Sequence, residues 1–245
     1  MTQPLFHALP DGRRIAYRHN PGAGPAAVFL PGYMSDMAGG KATAVFDWAA
    51  AQGRECLLLD YSGCGKSEGR FADGTPTRWA EEVVALVGLL SAASVVLIGS
   101  SMGGWLMLLA ALELRENVHA LVGIAAAPDF TDWGYSAQEK AVIAAEGVVR
   151  RPLSETYAGD SMPMWQGFWQ SGQDNLLLGQ TIEIDCPVRL LQGQCDDDVP
   201  WDTAPRLAEA LRSADVQVTL VKDGDHRLSR DADIALLLRT IAALP

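Results

Sequence analysis

The chain has 245 residues, 49% of them hydrophobic, and a formal net charge of −11. That length and apolar content suit one large domain, or a core plus an inserted cap, and the acidic balance argues against nucleic acid as a partner, because phosphates would be repelled. Cys56, Cys64, Cys186 and Cys195 form no C-x-x-C pair and no zinc or disulfide framework, no basic region followed by an apolar run opens the chain, and no stretch is apolar enough to span a membrane, so a cytoplasmic protein with reduced thiols is expected.

Residues 5–9 and 14–19 read as short strands joined by Pro10-Asp11-Gly12-Arg13, since Asp-Gly between extended runs is a hairpin signal. His7 and His19 fall in this hairpin and read as ordinary strand histidines. Residues 26–30 read as a buried strand ending in Pro31-Gly32-Tyr33-Met34-Ser35. A glycine at the end of a central strand lets the next backbone N–H turn toward a ligand, so Tyr33 is a candidate oxyanion donor, through its amide and with no demand on its side chain. A helix follows over 40–51 and an apolar strand over 55–60. The loop Asp60-Tyr61-Ser62-Gly63-Cys64-Gly65-Lys66-Ser67 ends in Gly-Lys-Ser. A phosphate-binding loop needs a glycine where Asp60 stands, and Glu68-Gly69 prolongs the turn instead of opening a helix, so a nucleotide site is rejected.

A helix is expected over 76–91, capped by Thr75 or Thr77 with Glu81-Glu82 near its start. The next stretch organises the chain. Val95–Ile98 is a β-branched run typical of a buried parallel strand, and from Trp105 the residues are apolar and helix-favouring. Between them Gly99-Ser100-Ser101-Met102-Gly103 makes a G-x-S-x-G, a turn from strand to helix that strains its central residue and holds the Ser101 hydroxyl at the C-terminal edge of the sheet. The amide of Met102, one residue on, is the second candidate oxyanion donor. The helix runs to about 115 and a sixth strand spans 118–126. His119 lies at the start of that strand, far from the Ser101 edge, and reads as structural. Asp129 leaves the catalytic edge and is a rival for any acid role.

From 130 to 184 the alternation of strand and helix stops, and Trp133, Tyr135, Met162, Met164, Trp165, Phe168 and Trp169 appear. This reads as a mostly helical cap over 128–185, inserted between core segments 1–127 and 186–245. Trp133, Trp165, Phe168 and Trp169 are the candidates to line an apolar substrate pocket, against the alternative that they form the cap's own core. Regular character returns with a strand at 187–192, a loop holding Asp196, Asp197 and Asp198, a helix at 205–213, a strand at 216–221, a loop with His226, and a last helix capped by Ser229. Ser101, then an aspartate at 196, then His226, each just beyond a strand, is the order expected of a nucleophile, acid and base on such a sheet. Asp197 and Asp198 are alternatives to Asp196, which comes first after the Gly193 turn.

Six stretches carry a resemblance: Leu-Pro-Gly-Tyr-Met-Ser-Asp-Met at 30–37, Asp-Tyr-Ser-Gly-Cys-Gly-Lys-Ser at 60–67, Ile-Gly-Ser-Ser-Met-Gly-Gly-Trp-Leu at 98–106, Arg-Leu-Leu-Gln-Gly at 189–193, Asp-Asp-Val-Pro-Trp at 197–201 and Asp-His-Arg at 225–227. Through them the chain resembles the α/β-hydrolase superfamily over nearly its whole length, and within it a branch of animal mitochondrial palmitoyl-protein thioesterases that also cleave acyl glucuronides. The resemblance implies an α/β-hydrolase fold with a mostly parallel central sheet and flanking helices. It also implies Ser101 as nucleophile, Asp196 as acid and His226 as base, with no metal and no organic cofactor. Relatives commonly carry His where this chain has Gln192, a departure expected to touch loop packing rather than chemistry.

The expected activity is that of a serine carboxylesterase or thioesterase (EC 3.1), acting through an acyl-enzyme on Ser101 upon a small-molecule ester or an acylated protein. A serine peptidase, a lipase and a non-catalytic hydrolase-fold binding protein are the alternatives; no charged anchor for a peptide terminus is evident. The sequence carries no signal for oligomeric state.

Overall fold

In a computed structural model the described residues are 3–152 and 161–245. The strands are β1 (Leu5–Ala8), β2 (Arg14–Asn20), β3 (Ala23–Leu30), β4 (Arg54–Leu59), β5 (Val95–Ser100), β6 (Val118–Ile124), β7 (Val148–Pro152), β8 (Ser161–Trp165), β9 (Val188–Gly193) and β10 (Val216–Val221). The α-helices are α1 (Gly40–Ala51), α2 (Pro76–Val87), α3 (Met102–Leu114), α4 (Phe130–Trp133), α5 (Ala137–Glu146), α6 (Gln166–Asp174), α7 (Thr203–Ala210) and α8 (Asp231–Ala242).

Eight strands form one sheet in the order β1-β2-β4-β3-β5-β6-β9-β10. The β1–β2 hairpin joins antiparallel, and every pair from β4 to β10 is parallel. Alternation along each central strand divides the core between two faces, since neighbouring side chains point to opposite sides. Leu57, Leu59, Val95 and Leu97 pack with Trp79 of α2 and Trp105 of α3. Cys56, Leu58, Val96 and Ile98 pack on the other face with Ala42 and Val45 of α1 and Leu237 and Ile241 of α8. Helix α3 lies under the sheet centre and nine of its 13 residues are buried, as its apolar run from Met102 to Leu112 requires. The C-terminal ends of β3, β5, β6, β9 and β10 therefore share one edge, where their loops converge.

The Thr75 cap is present: its hydroxyl accepts the Arg78 amide at 3.1 Å. Helix α2 ends at Val87 rather than 91, because the buried carboxylate of Glu55 takes the amides of Ser91 and Ala92 and turns the chain away. Helix α8 starts after Arg230, whose guanidinium grips Asp233, and not after Ser229.

The excursion between β6 and β9 is less helical than its composition suggests. Gly147 takes a positive φ and stops α5, and the β-branched Val148-Val149 that follows pairs with 161–165 in a two-stranded antiparallel ribbon. Residues 153–160 of the expected cap lie outside the described residues. Tyr135, Ile143, Met164 and Phe168 of the excursion join the same buried cluster as Trp79 and Trp105.

Candidate active site

Ser101 sits between β5 and α3 with φ 54° and ψ −121°, a conformation a non-glycine residue holds only where its surroundings fix it. They do: its amide donates to Ile124 O at 2.9 Å, and its carbonyl accepts the Gly104 and Ala127 amides at 2.8 and 3.1 Å. The flanking glycines are needed for space. A Cβ on Gly99 would strike the Gly103 carbonyl, and one on Gly103 would strike the Leu30 carbonyl at the end of β3.

His226 lies in the loop after β10, with Nε2 3.0 Å from Ser101 Oγ and Nδ1 2.9 Å from Asp196 Oδ2. Asp196, in the loop after β9, has a fully buried side chain. Its Oδ1 accepts the amides of Asp198 and Val199 at 2.9 and 2.8 Å, and its Oδ2 also accepts Gln192 Nε2 at 2.9 Å. The three residues thus form one chain of hydrogen bonds from carboxylate through imidazole to hydroxyl. The His226 loop is tied down by Asp225, which accepts the Leu228 amide at 2.9 Å, and by Lys41 of α1, which donates to the Arg227 carbonyl. Burial lowers the Lys41 pKa to about 8.

Of the other candidates, Asp198 gives its backbone amide to Asp196 Oδ1 and lines the cavity over Ser101, and the rest are elsewhere. The Asp129 carboxylate accepts the Leu177 and Leu178 amides at 2.8 and 2.7 Å, joining the two ends of the excursion, and burial pushes its pKa up. Asp197 is exposed. His19 pairs with Glu55 at 2.8 Å and His119 with the Pro245 carbonyl at 2.6 Å. His7 stays in the β1–β2 hairpin.

A cavity of about 370 Å³ opens over Ser101 and His226. Its walls are mainly apolar: Tyr33, Met34, Met102, Phe130, Trp133, Tyr135, Met162 and Val199, with Arg151 and Asp198 as the charged members. Arg151 is held by Glu139 at 2.6 and 2.8 Å and stacks 4.0 Å from the Tyr135 ring centroid. The Arg151 guanidinium and the Ser136 amide hold Glu139 down at about 2. Burial pushes Tyr135 up to about 12. Among the described residues the Tyr33 and Met102 amides have no hydrogen-bond acceptor, and both residues line this cavity beside Ser101.

Of the four aromatics expected in the pocket, Trp133 lines it, with its indole N–H on the Pro128 carbonyl at 2.7 Å. Trp165, Phe168 and Trp169 do not. Arg150 covers the Trp165 ring, and Trp169 donates to the Thr131 carbonyl at 3.1 Å. Phe168 is buried against Tyr33, Trp79 and Phe130, with centroids 5.1 to 5.8 Å apart. Phe168→Ala is accordingly expected to lower the unfolding free energy by about 3–5 kcal/mol, read from urea denaturation; a variant as stable as wild type would remove the ring from the core.

Apart from its amide, Tyr33 has a second contact: its hydroxyl donates to the Pro163 carbonyl of β8 at 2.6 Å, linking the loop after β3 to the ribbon. One further expectation changes. The Gln192 departure is not confined to loop packing, because its amide touches Asp196. A polar residue following the buried Leu190-Leu191 of β9 was the signal for it. The walls Met34, Phe130, Tyr135, Arg151 and Met162 had only the aromatic and Met enrichment of their surroundings to mark them.

A model of the alpha/beta hydrolase family matches residues 27–237. The human mitochondrial palmitoyl-protein thioesterase ABHD10 is 37% identical over 243 residues, covering 98% of this chain and 79% of its own length. The structure of a protein from Agrobacterium vitis S4 superposes with a TM-score of 0.91 at 38% identity over 99% of each chain. Mouse alpha/beta hydrolase domain-containing protein 10 gives 0.90 at 35% identity, over 99% of this chain and 98% of its own.

Proposed function

The chain belongs to the alpha/beta hydrolase family, and from that footing we propose that it is a serine hydrolase cleaving acyl thioesters and carboxylic esters through an acyl-enzyme on Ser101. The observation that carries the reading is the hydrogen-bonded chain Asp196–His226–Ser101 opening onto an apolar cavity. His226 Nε2 takes the Ser101 proton as Oγ attacks the acyl carbon, and Asp196 keeps the other ring proton on Nδ1 and stabilises the imidazolium. The charge that develops on the carbonyl oxygen falls to the amides of Tyr33 and Met102; loss of one such donor typically costs about 3 kcal/mol of transition-state stabilisation. His226 returns its proton to the departing thiolate or alkoxide, then activates the water that frees the acid and regenerates the serine.

The apolar walls support an acyl chain as the occupant of the cavity, and the thioesterase name carried by the relatives supports a thioester as the bond, with acyl-glucuronide-like oxyesters as the second member of the class. Residues 128–185 act here as a cap over a core of 1–127 and 186–245. No helix among the described residues is long and apolar enough to cross a membrane. The four cysteines are free, and the cytoplasmic location expected from the sequence stays part of this reading.

A fluorophosphonate probe is expected to label wild-type protein at Ser101, and an unlabelled serine would return the chain to the non-catalytic binding class. Paired thioester and oxyester series then define the substrate. Each methylene that enters the cavity is worth about 0.8 kcal/mol, so kcat/KM should rise by up to about fourfold per methylene until the walls are filled. Trp133→Ala is expected to move that plateau to longer chains. A flat series, or a preference for short aromatic oxyesters, would replace the acyl-thioester reading with that of a small-molecule carboxylesterase.

A further inference from the structure

Gln192 is the penultimate residue of β9 and fully buried. Its amide is the one side-chain donor besides His226 that reaches Asp196 among the described residues, and it reaches the same oxygen, Oδ2, that faces His226 Nδ1. The Asp198 and Val199 amides occupy Oδ1. Chemistry fixes the orientation of the amide, because the flipped carbonyl would face a carboxylate oxygen. In this orientation Gln192 Oε1 is buried with no partner among the described residues. An orphaned buried polar atom destabilises a fold, and an apolar side chain of similar length would avoid that cost. Packing therefore does not account for a glutamine at this point; the contact with Asp196 does.

Resting on the acyl-transfer reading above, we infer that Gln192 is a positioning residue that fixes the Asp196 carboxylate and moderates its hold on His226 by sharing Oδ2. Two donors on one oxygen divide its negative charge. With Gln192 Nε2 in place, Asp196 stabilises a proton on the ring less strongly, and the imidazolium formed during acyl transfer gives that proton more readily to the leaving group. The same bond restrains rotation of the carboxylate, so the ring stays aligned with Ser101 Oγ. Other charged or titratable groups lie around the pair. Cys195, Asp197 and Asp198 share the Asp196 loop, Asp225 and Arg227 flank His226, and Lys41 reaches the Arg227 carbonyl from α1. All of them remain in a Gln192 variant, so a change in pH dependence reads the amide.

The test is the pH profile of kcat/KM on an acyl thioester for wild type, Gln192→Met, Gln192→Leu and Gln192→His. Removing the donor leaves more charge on Oδ2, so the base is protonated at higher pH. The acid limb of the Met and Leu profiles should move up by about half a pH unit, and kcat on the plateau should fall about fivefold with KM little changed. Thermal stability should hold or rise, since the orphaned Oε1 is gone. A histidine, which can present a ring N–H, should bring the acid limb back toward wild type. Folded Met and Leu variants with an unmoved acid limb would overturn the role, as would loss of folding in both, which would make the amide a structural prop. Fluorophosphonate labelling of the wild type keeps the two levels apart. A labelled Ser101 with an unmoved limb overturns the positioning role alone, and an unlabelled Ser101 overturns the acyl-transfer reading and the positioning role with it.

Discussion

Replacing Ser101 with alanine is expected to lower kcat/KM by on the order of 10⁴–10⁶ while leaving the fold intact. The fold should survive because the strained backbone at this position is held by main-chain groups, the amide on Ile124 O and the carbonyl under the Gly104 and Ala127 amides. Alanine keeps the Cβ that already tolerates φ 54° and removes only Oγ, whose partner is His226 Nε2. The Tyr33 and Met102 amides and the apolar walls are untouched, so substrate should still bind and KM should change little. What disappears is the atom that becomes acylated. Intact-mass analysis after a fluorophosphonate pulse should show no adduct on the variant, and single-turnover assays should show no acyl-enzyme. Alanine-variant turnover within tenfold of wild type would remove Ser101 from the chemistry whatever its geometry.

The sequence made Ser101 legible because a nucleophile turn is a local device: a β-branched run, two glycines where no Cβ fits, and an apolar helix lie within fifteen consecutive residues. Strand runs and the Asp-Gly hairpin were legible for the same reason, as was the Thr75 cap, since each satisfies backbone groups within a few residues of itself. Where a distant partner decides the outcome, legibility stops. Glu55 ends α2 early from another strand, and Trp133 and Phe168, equally aromatic, part ways because Phe168 meets Tyr33 and Trp79 while Trp133 is tethered to Pro128 at the cavity wall. The ribbon in the excursion was masked by an aromatic-rich composition that suits helix and strand alike. Gln192 could be noted as a departure from a pattern, yet its contact with Asp196 depends on how the loop after β9 folds back over its own strand.

The choice among three consecutive aspartates is of the same kind, and Asp196→Asn tests it. At 196 the two oxygens do different work. Oδ1 sits under the Asp198 and Val199 amides, and Oδ2 faces two donors, His226 Nδ1 and Gln192 Nε2. An asparagine can satisfy the backbone amides only by placing its carbonyl at the Oδ1 position, which turns its NH₂ toward His226. The ring then presents Nδ1 as acceptor and carries its proton on Nε2, so it donates to Ser101 Oγ and cannot take the serine proton. The expected result is a fall in kcat of about 10⁴ at neutral pH with the fold retained. Asp129→Asn should behave differently. The Leu177 and Leu178 amides bond to different oxygens, Oδ1 and Oδ2, and an asparagine turns its NH₂ toward one of them, so the link between the two ends of the excursion weakens, stability falls by about 1–3 kcal/mol, and kcat changes far less. Asp197→Asn, on an exposed side chain, should stay near wild type. Urea unfolding and kcat measured on all three separate the roles, and a 10⁴-fold loss at 129 or 197 with near-normal turnover at 196 would move the acid to that residue.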